Sequence, residues 1–353
     1  MKSGKPVRIG IVGAGANTRA RHIPGFRAIP GVEIVGLVNR TFESGKLVAS
    51  ESGIPLVYSD WQTLVNDPDV DAVCIGTWPD LHCDVTCAAL NAGKHVLTEA
   101  RMARSAAEAH RMLTCAQSHP ELVTQIVPSP FGLVQDQFVR RIIADGYLGE
   151  LREVVVIGAD DMFWDYTELV HWRQVREISG VNVMSLGILH ETVSRWIPET
   201  TRVFAQTKLF EPKRPDPASQ GLVETSVPDS VQILTQLAGG ARGLYHFSGI
   251  DLFGPGKQIH LYGSRGTIKY VMTPQEQLLC GRAGDAEMRV IDIPAEQRGG
   301  WRVEAEFVSA IRGEEKVRFN DFATGVRYME FTEAVARSAA LNLPVDLPLK
   351  MFG

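Results

Sequence analysis

The run Val7-Arg8-Ile9-Gly10-Ile11-Val12 ends in Gly13-Ala14-Gly15-Ala16-Asn17-Thr18, a GxGxx turn that leads from an apolar strand into a helix. Glycines at 13 and 15 let backbone N–H groups approach a pyrophosphate, and the helix N-terminus favours its negative charge. Gly13, Gly15, Ala16, Asn17 and Thr18 are therefore expected to cradle a dinucleotide. A turn of this kind can also be glycine-rich without function, but its place between strand and helix favours the cofactor. Thr18 stands where a third glycine is usual and is expected to widen the helix-to-strand contact slightly. The next strand ends in Asn39-Arg40-Thr41, with no carboxylate to meet the ribose hydroxyls of NAD. The Arg40 guanidinium fork suits a 2′-phosphate instead, so NADP(H) is expected over NAD(H).

A second set of residues places polar groups in apolar or aromatic surroundings. His190 and Glu191 follow Val183, Met184, Leu186, Ile188 and Leu189, a helical run apolar almost all round and expected to be buried. His190 is either a general acid/base with an ordinary pKa of about 6.5 or a core histidine bonded to a carboxylate or to backbone. Glu191 is either a substrate contact or the i, i+4 partner of Arg195. His171-Trp172-Arg173 offers an aromatic face for apolar C–H groups and a guanidinium for hydroxyls, or else is a packed loop. Asp160-Asp161 and Phe163-Trp164-Asp165-Tyr166 read as a polar and aromatic loop. Beside His82, Cys83 and Cys87 sit four apart on a helix, but their two sulfurs lack a third and fourth ligand, so no metal is expected.

These groups need elements to hold them. Up to residue 127, β-branched runs at Val7–Val12, Val32–Val38, Ala72–Ile75, His95–Thr98 and Val123–Val127 alternate with helix-length segments. That pattern predicts a doubly wound parallel sheet, with the first domain over 1–127 and a second over 128–353. In the second half the strands alternate with period two: Leu151–Gly158, Ser230–Ala238, Ala241–Ser248, Gln258–Gly263, Thr267–Val271 and Met288–Ile293. The Gly239-Gly240 turn predicts a hairpin within an antiparallel sheet with one packed face. Helices over Gln135–Asp145, Val181–Trp196 and Trp301–Ile311 are expected to cover it, and Glu211–Pro217, with three prolines, is expected to be a loop.

The chain's 353 residues are 44% hydrophobic and 22% charged, an ordinary globular composition. A net charge of −5 without a basic cluster argues against a nucleic-acid partner. The longest apolar stretches fall far short of the ~20 residues that span a bilayer, so no membrane partner is expected. The amino terminus runs through Met1-Lys2-Ser3-Gly4 straight towards the first strand, so no export signal is expected. Five cysteines without a CxxC pair suggest neither disulfide framework nor zinc ribbon, and a reducing cytoplasm is expected.

With Thr77-Trp78-Pro79-Asp80-Leu81-His82 after the strand at 72–75, and Ala92-Gly93-Lys94-His95-Val96-Leu97-Thr98-Glu99 before a helix, the chain resembles the Gfo/Idh/MocA oxidoreductases. Asp145-Gly146-Tyr147-Leu148-Gly149, Trp172-Arg173, Leu261–Thr267 and Phe307–Gly313 continue the resemblance over essentially the whole chain. It implies an α/β architecture: an N-terminal Rossmann domain, then an α+β domain with an open-faced, mainly antiparallel sheet. It also implies a nicotinamide cofactor that serves hydride transfer at a secondary alcohol or ketone of a sugar, cyclitol or related polyol, and a homodimer or homotetramer. By the same resemblance Thr77, Trp78, His82, Glu99 and Arg101 join the cofactor site.

The departures from the family pattern lie where the chemistry is. Glu99-Ala100-Arg101 replaces the usual Glu-Lys-Pro, so the proton-handling lysine position is Ala100. Ser185, Leu189 and Thr192 stand where Asp, His and Asp are usual, and His190 comes one position late, a swing of about 100° on a helix. Arg101, always charged, is expected to stabilise the substrate oxygen, and His190 to shuttle its proton. Two alternatives are a redox-neutral lyase or glycosidase with a tightly held cofactor, and a non-catalytic cofactor-binding sensor.

Overall fold

A computed structural model describes residues 5–216, 218–219 and 221–350. Met1–Gly4, which entered the reading of the amino terminus, and Pro217, at the end of the expected proline loop, lie outside the described residues. The chain packs as two units, one running to Pro128 and including Arg302–Val326, the other Ser129–Trp301 with the chain from Arg327 onward.

In the first unit, strands β1 (Val7–Val12), β2 (Val32–Val38), β3 (Leu56–Val57), β4 (Ala72–Ile75), β5 (His95–Thr98) and β6 (Thr124–Ile126) form one sheet in the order β3-β2-β1-β4-β5-β6. Every neighbouring pair is parallel. Ile9, Ile11 and all of Ala72 to Ile75 have no exposed surface, as strands covered on both faces must. The strand order reverses between β1 and β4, which opens a crevice beyond their carboxyl ends where doubly wound sheets bind ligands. The two-residue β3 was not foreseen, since so short a strand shows no periodicity.

The helix Val303–Arg312 corrects an expectation. Read as cover for the second sheet, it belongs to the first unit and packs on the helix Ile23–Arg27. The reason lies in its buried carboxylates. Glu304 pairs with His22, and Glu306 accepts from Gln125 Nε2 at 3.0 Å and from the Arg318 backbone at 2.9 Å. Gly25 makes room for it, because a Cβ there would lie 2.7 Å from the Glu304 carboxyl carbon.

The second unit is built on a nine-stranded sheet, with a small two-stranded sheet beside it in sequence. From edge to edge the nine strands run Arg289–Val290, Gln277–Arg282, Gly266–Val271, Gly256–Gly263, Leu151–Ala159, Arg242–Ser248, Ser230–Leu237, Thr200–Lys208 and Val345–Asp346. Leu151–Ala159 and Arg242–Ser248 pair in parallel, and the other neighbours are antiparallel. The expected hairpin is present, with Gly239 and Gly240 at φ +87° and +93°, values that side chains resist. Along Ser230–Leu237 buried and outward positions alternate strictly, as a sheet with one packed face requires.

Three details differ from expectation. The strand at Met288–Ile293 shrinks to Arg289–Val290, and Lys213–Pro215, inside the expected proline loop, pairs with Leu222–Glu224. The helix expected over Val181–Trp196 spans only Leu186–Ser194. Asn182 Oδ1 accepts the Gly187 amide at 3.0 Å and Met184 sits at φ +46°, so the chain before Leu186 turns rather than coils.

Candidate cofactor and substrate sites

In the first unit the glycine turn lies at the carboxyl end of β1. Gly13, at φ +88°, has the Thr77 amide nitrogen 2.7 Å from where a Cβ would stand, so only glycine fits. Gly15, Ala16 and Asn17 are exposed at the start of the helical segment, whose first amides have no partner within a helix. A Cβ on Gly15 would meet nothing nearer than Gly76 O at 3.6 Å. The turn is thus open to an anion on the side where its amides point. Thr18 is buried and donates its hydroxyl to Gly13 O at 3.1 Å. Its room comes from Gly76, where a Cβ would stand 2.1 Å from Thr18 Oγ1; a second glycine offsets the missing third one.

At the end of β2, Asn39 Oδ1 accepts the Ala14 amide at 2.7 Å and so braces the turn. Arg40 is exposed, with its guanidinium carbon 5.3 Å from the centre of the Trp78 ring. The pair gives a cationic, aromatic surface next to the position where an acid would otherwise bind ribose.

Glu99, at the end of β5, is fixed from three directions. Its Oε1 accepts from Asn17 Nδ2 and lies 2.9 Å from His22 Nε2, while Oε2 accepts the Ala100 amide at 3.2 Å. The other nitrogen of His22, Nδ1, is 2.6 Å from Glu304 Oε1, and the imidazole has no exposed surface. Burial pulls this imidazole's pKa down, but the hydrogen bonds to Glu304 and Glu99 outweigh it and push the value up to about 9. The carboxylate of Glu99 moves the other way: burial raises it, and the bonded His22 holds it below the usual range. A buried carboxylate–imidazolium–carboxylate line therefore ends on a residue that also touches the glycine turn. Sequence reading named Asn17 and Glu99 but missed His22 and Glu304. His22 lies five residues past Asn17 on the same helical segment, a signal that was present; Glu304 gave none.

His82, expected at the cofactor, is fully buried. Nδ1 lies 2.6 Å from Arg101 O and Nε2 3.0 Å from Thr77 O. Its place, four residues after Trp78 on the helix Pro79–Asn91, turns it inward, so it ties the Thr77 loop to the Glu99–Arg101 segment. Burial, against those two carbonyls, lowers its pKa. Arg101 follows a cis peptide and is 5% exposed.

In the second unit, His190 is 6% exposed and stacks on Phe331 with ring centres 3.5 Å apart and planes within 2°. Its Nδ1 is buried without a hydrogen-bond partner among the described residues, and burial pulls its pKa down to about 3. It is a neutral imidazole. Glu191, read as either a substrate contact or the i, i+4 partner of Arg195, does hold Arg195, through 2.8 Å bonds from Nε and a terminal guanidinium nitrogen, and accepts the Ser129 amide at 2.7 Å. Arg195 in turn donates to the carbonyls of Phe131 and Ser129. That i, i+4 pair pins the chain at 129–131.

His171, Trp172 and Arg173 form a stack. His171 and Trp172 ring centres are 5.6 Å apart, and the Arg173 guanidinium lies 4.3 Å from the Trp172 ring. His171 Nδ1 also accepts the Arg173 amide at 3.2 Å, so the three residues are held by their own turn. The preceding aromatic loop hangs on Arg214, which is fully buried and donates to the carbonyls of Phe163 and Asp165. Trp164 and Tyr166 remain exposed. Among the described residues, no group of three or more His, Cys, Asp or Glu side chains is placed to hold a metal ion, and no helix is long and apolar enough to cross a membrane.

Residues 7–126 match the family described as "Oxidoreductase family, NAD-binding Rossmann fold", and residues 137–269 match the "GFO/IDH/MocA C-terminal domain". The chain belongs to this oxidoreductase family. Levoglucosan dehydrogenase of Pseudarthrobacter phenanthrenivorans is 23% identical, with 97% of this chain and 98% of that protein aligned. The 1,5-anhydro-D-fructose reductase of Ensifer adhaerens is 39% identical over 31% of this chain, which spans only 33% of that protein's length. In three dimensions, levoglucosan dehydrogenase in complex with NADH and L-sorbose superposes with a TM-score of 0.87, at 22% identity, over 97% of this chain and 99% of that one. Both expected sheets are those of the family fold.

Proposed function

We propose that this chain is an NAD(P)-dependent dehydrogenase that oxidises or reduces a secondary alcohol or ketone on a sugar, cyclitol or related polyol, with NADP(H) preferred. The observation that carries the reading is the open glycine turn braced by Asn39 and Glu99, with space left at Gly15. Gly13, Gly15, Ala16 and Asn17 hold the pyrophosphate, Arg40 and Trp78 hold the 2′-phosphate and adenosine end, and Glu99 braces the turn near the other end. The bound nicotinamide supplies the hydride-transfer chemistry.

Arg101 gives the substrate oxygen a fixed positive charge and takes no proton from it, because its guanidinium does not deprotonate in proteins. His190, neutral at working pH, serves as a hydrogen-bonding group for a substrate hydroxyl rather than as a store of protons. Trp172 and Arg173 present the stacking face and the hydroxyl donors that suit a carbohydrate. The substrate class is supported by this stack and by the sugar-acting relatives. Calorimetric titration with NADPH and NADH, followed by an absorbance assay at a panel of sugars, anhydrosugars and inositols, tests the proposal. Absence of binding by either cofactor overturns it, and binding without turnover on any polyol favours a sensor.

A further inference from the structure

Away from the cofactor turn, two helices of the first unit bring three thiols together. Pro79–Asn91 and Ala106–Gln117 pack against one another. On the first, Cys83, Asp84, Cys87 and Asn91 recur at three- and four-residue spacing and so share a side; on the second, Arg111 and Cys115 are one turn apart. Arg111 pairs with Asp84 across the contact. Cys115 Sγ approaches the Cys87 carbonyl and Asn91 Oδ1, each at 3.7 Å. Cys83 is buried with its Sγ 3.5 Å from Glu108 O, whereas Cys87 and Cys115 are only partly buried.

We propose that Cys87 and Cys115 form a redox-active thiol pair, in which a hydroperoxide oxidises Cys87 and Cys115 then closes a disulfide between the two helices. Cys87 is the reactive member. Hydrogen bonding from Cys83 favours its thiolate first, burial opposes it, and the Arg111 guanidinium adds hydrogen bonding and charge, leaving it below the usual thiol range. Cys115, which burial holds up to about 11, stays a thiol until it is needed. In the first step the Cys87 sulfur attacks the peroxide, the O–O bond breaks, and the products are a sulfenic acid and, after protonation, an alcohol or water. In the second step the Cys115 sulfur attacks the sulfenic sulfur and water leaves. Two thiols lose two electrons, and the peroxide gains them.

Geometry selects Cys115 over Cys83 as the partner. Residues four apart on a helix hold their Cβ atoms about 5–6 Å apart, whereas a disulfide requires about 3.5–4.5 Å, so Cys83 and Cys87 bridge only if the helix unwinds. Cys115 comes from the neighbouring helix, free of that spacing, and its Sγ already lies 3.7 Å from the Cys87 carbonyl.

The test uses the full chain, titrated with hydrogen peroxide, alkylated and digested for mass spectrometry. A Cys87–Cys115 disulfide that dithiothreitol reverses is expected. In Cys115→Ser, dimedone should trap a sulfenic acid on Cys87, and Cys87→Ser should consume peroxide at least about tenfold more slowly. Arg111→Met should slow oxidation without shifting the site. A Cys83–Cys87 product, or an undiminished peroxide rate in Cys87→Ser, overturns the proposal. Should a variant fail to fold, iodoacetamide labelling of the unmodified chain decides: Cys87 must label ahead of Cys115 and Cys280, and any other order overturns it.

Discussion

His22 Nδ1 and Glu304 Oε1 lie 2.6 Å apart although 282 positions separate them in the chain. The contact stitches the segment 302–326 onto the first unit, and through the other nitrogen of His22 it reaches Glu99. Because the imidazole's pKa rises from 6.5 to about 9 on folding, its contribution is fully present below 6.5 and is lost as pH climbs through 9. A shift of that size corresponds to roughly 3 kcal/mol. Urea unfolding should therefore show a falling midpoint between pH 7 and 9. His22→Phe should unfold at a lower midpoint by about 3–5 kcal/mol, since it leaves two buried carboxylates facing each other, and its alkaline slope should flatten. An unchanged slope in the variant would place the alkaline loss elsewhere.

How much of this was legible in the sequence depends on range. The glycine turn, β1, β2, β4 and β5 are local, apolar and periodic, and the structure places them at the expected residues. Asn39 and Glu99 were recognisable by position after a strand. Glu304 was not, because its partner is remote and its helix reads like any other amphipathic one. His82 was read at the cofactor from its motif; the structure buries it, with its two nitrogens on the carbonyls of Arg101 and Thr77. The apolar run before His190 suggested a helix from Val181, and the side chain of Asn182 took over the backbone donor that such a helix would have used.

Two glycines of the turn separate binding from folding. Gly15→Ala has space for its Cβ, with the nearest atom 3.6 Å away, so its unfolding midpoint should stay within about 1 kcal/mol of the parent, as helix propensity suggests. If the proposed site is right, the added methyl crowds the approaching pyrophosphate, and NADPH affinity should fall at least about tenfold. Gly13→Ala, strained at φ +88° and crowded by Thr77, should lose stability as well. Undiminished NADPH binding in a folded Gly15→Ala protein would remove the turn from the cofactor site.

Arg40→Ala should weaken NADPH binding by about tenfold to a hundredfold, the cost of one charge-assisted bond to a phosphate, and leave NADH nearly unaffected. Paired calorimetric titrations read the difference directly. Equal affinities that ignore the substitution would mean that Arg40 only shields Trp78, on which it already lies.

The outward face of the second sheet carries a row of apolar side chains. Phe204 pairs with Leu234, Leu234 with Leu244, and Leu244 with Val155, across four neighbouring strands. Leu234 and Leu244 are 57% and 49% exposed, a poor arrangement for water. We expect this face to join copies of the chain as a dimer or tetramer. Leu234→Glu with Leu244→Glu should yield a monomer of normal secondary structure in sedimentation, and a parent that is already monomeric at micromolar concentration contradicts the expectation.

His190 gives the sharpest test of the proposed chemistry, because a buried imidazole with a pKa of about 3 carries no imidazolium proton at neutral pH and keeps only its single ring N–H. The pH profile of kcat/KM should then show no inflection from this residue between pH 6 and 8, and His190→Phe should keep the profile's shape. The ring stack on Phe331 should tolerate the aromatic replacement, so the variant folds. With only a hydrogen bond to the substrate lost, kcat should drop by about tenfold to a hundredfold with NADPH affinity unchanged, less than the 10⁴-fold that loss of a proton carrier can reach, roughly. The same depressed pKa means that the folded state gains from a neutral His190 above 6.5 and loses that gain as pH falls towards 3, so His190→Phe should also resist acid unfolding to a lower pH. An acidic limb centred on 6.5 in the parent that vanishes in His190→Phe would show an imidazole that titrates during turnover, and would return the proton shuttle to this residue.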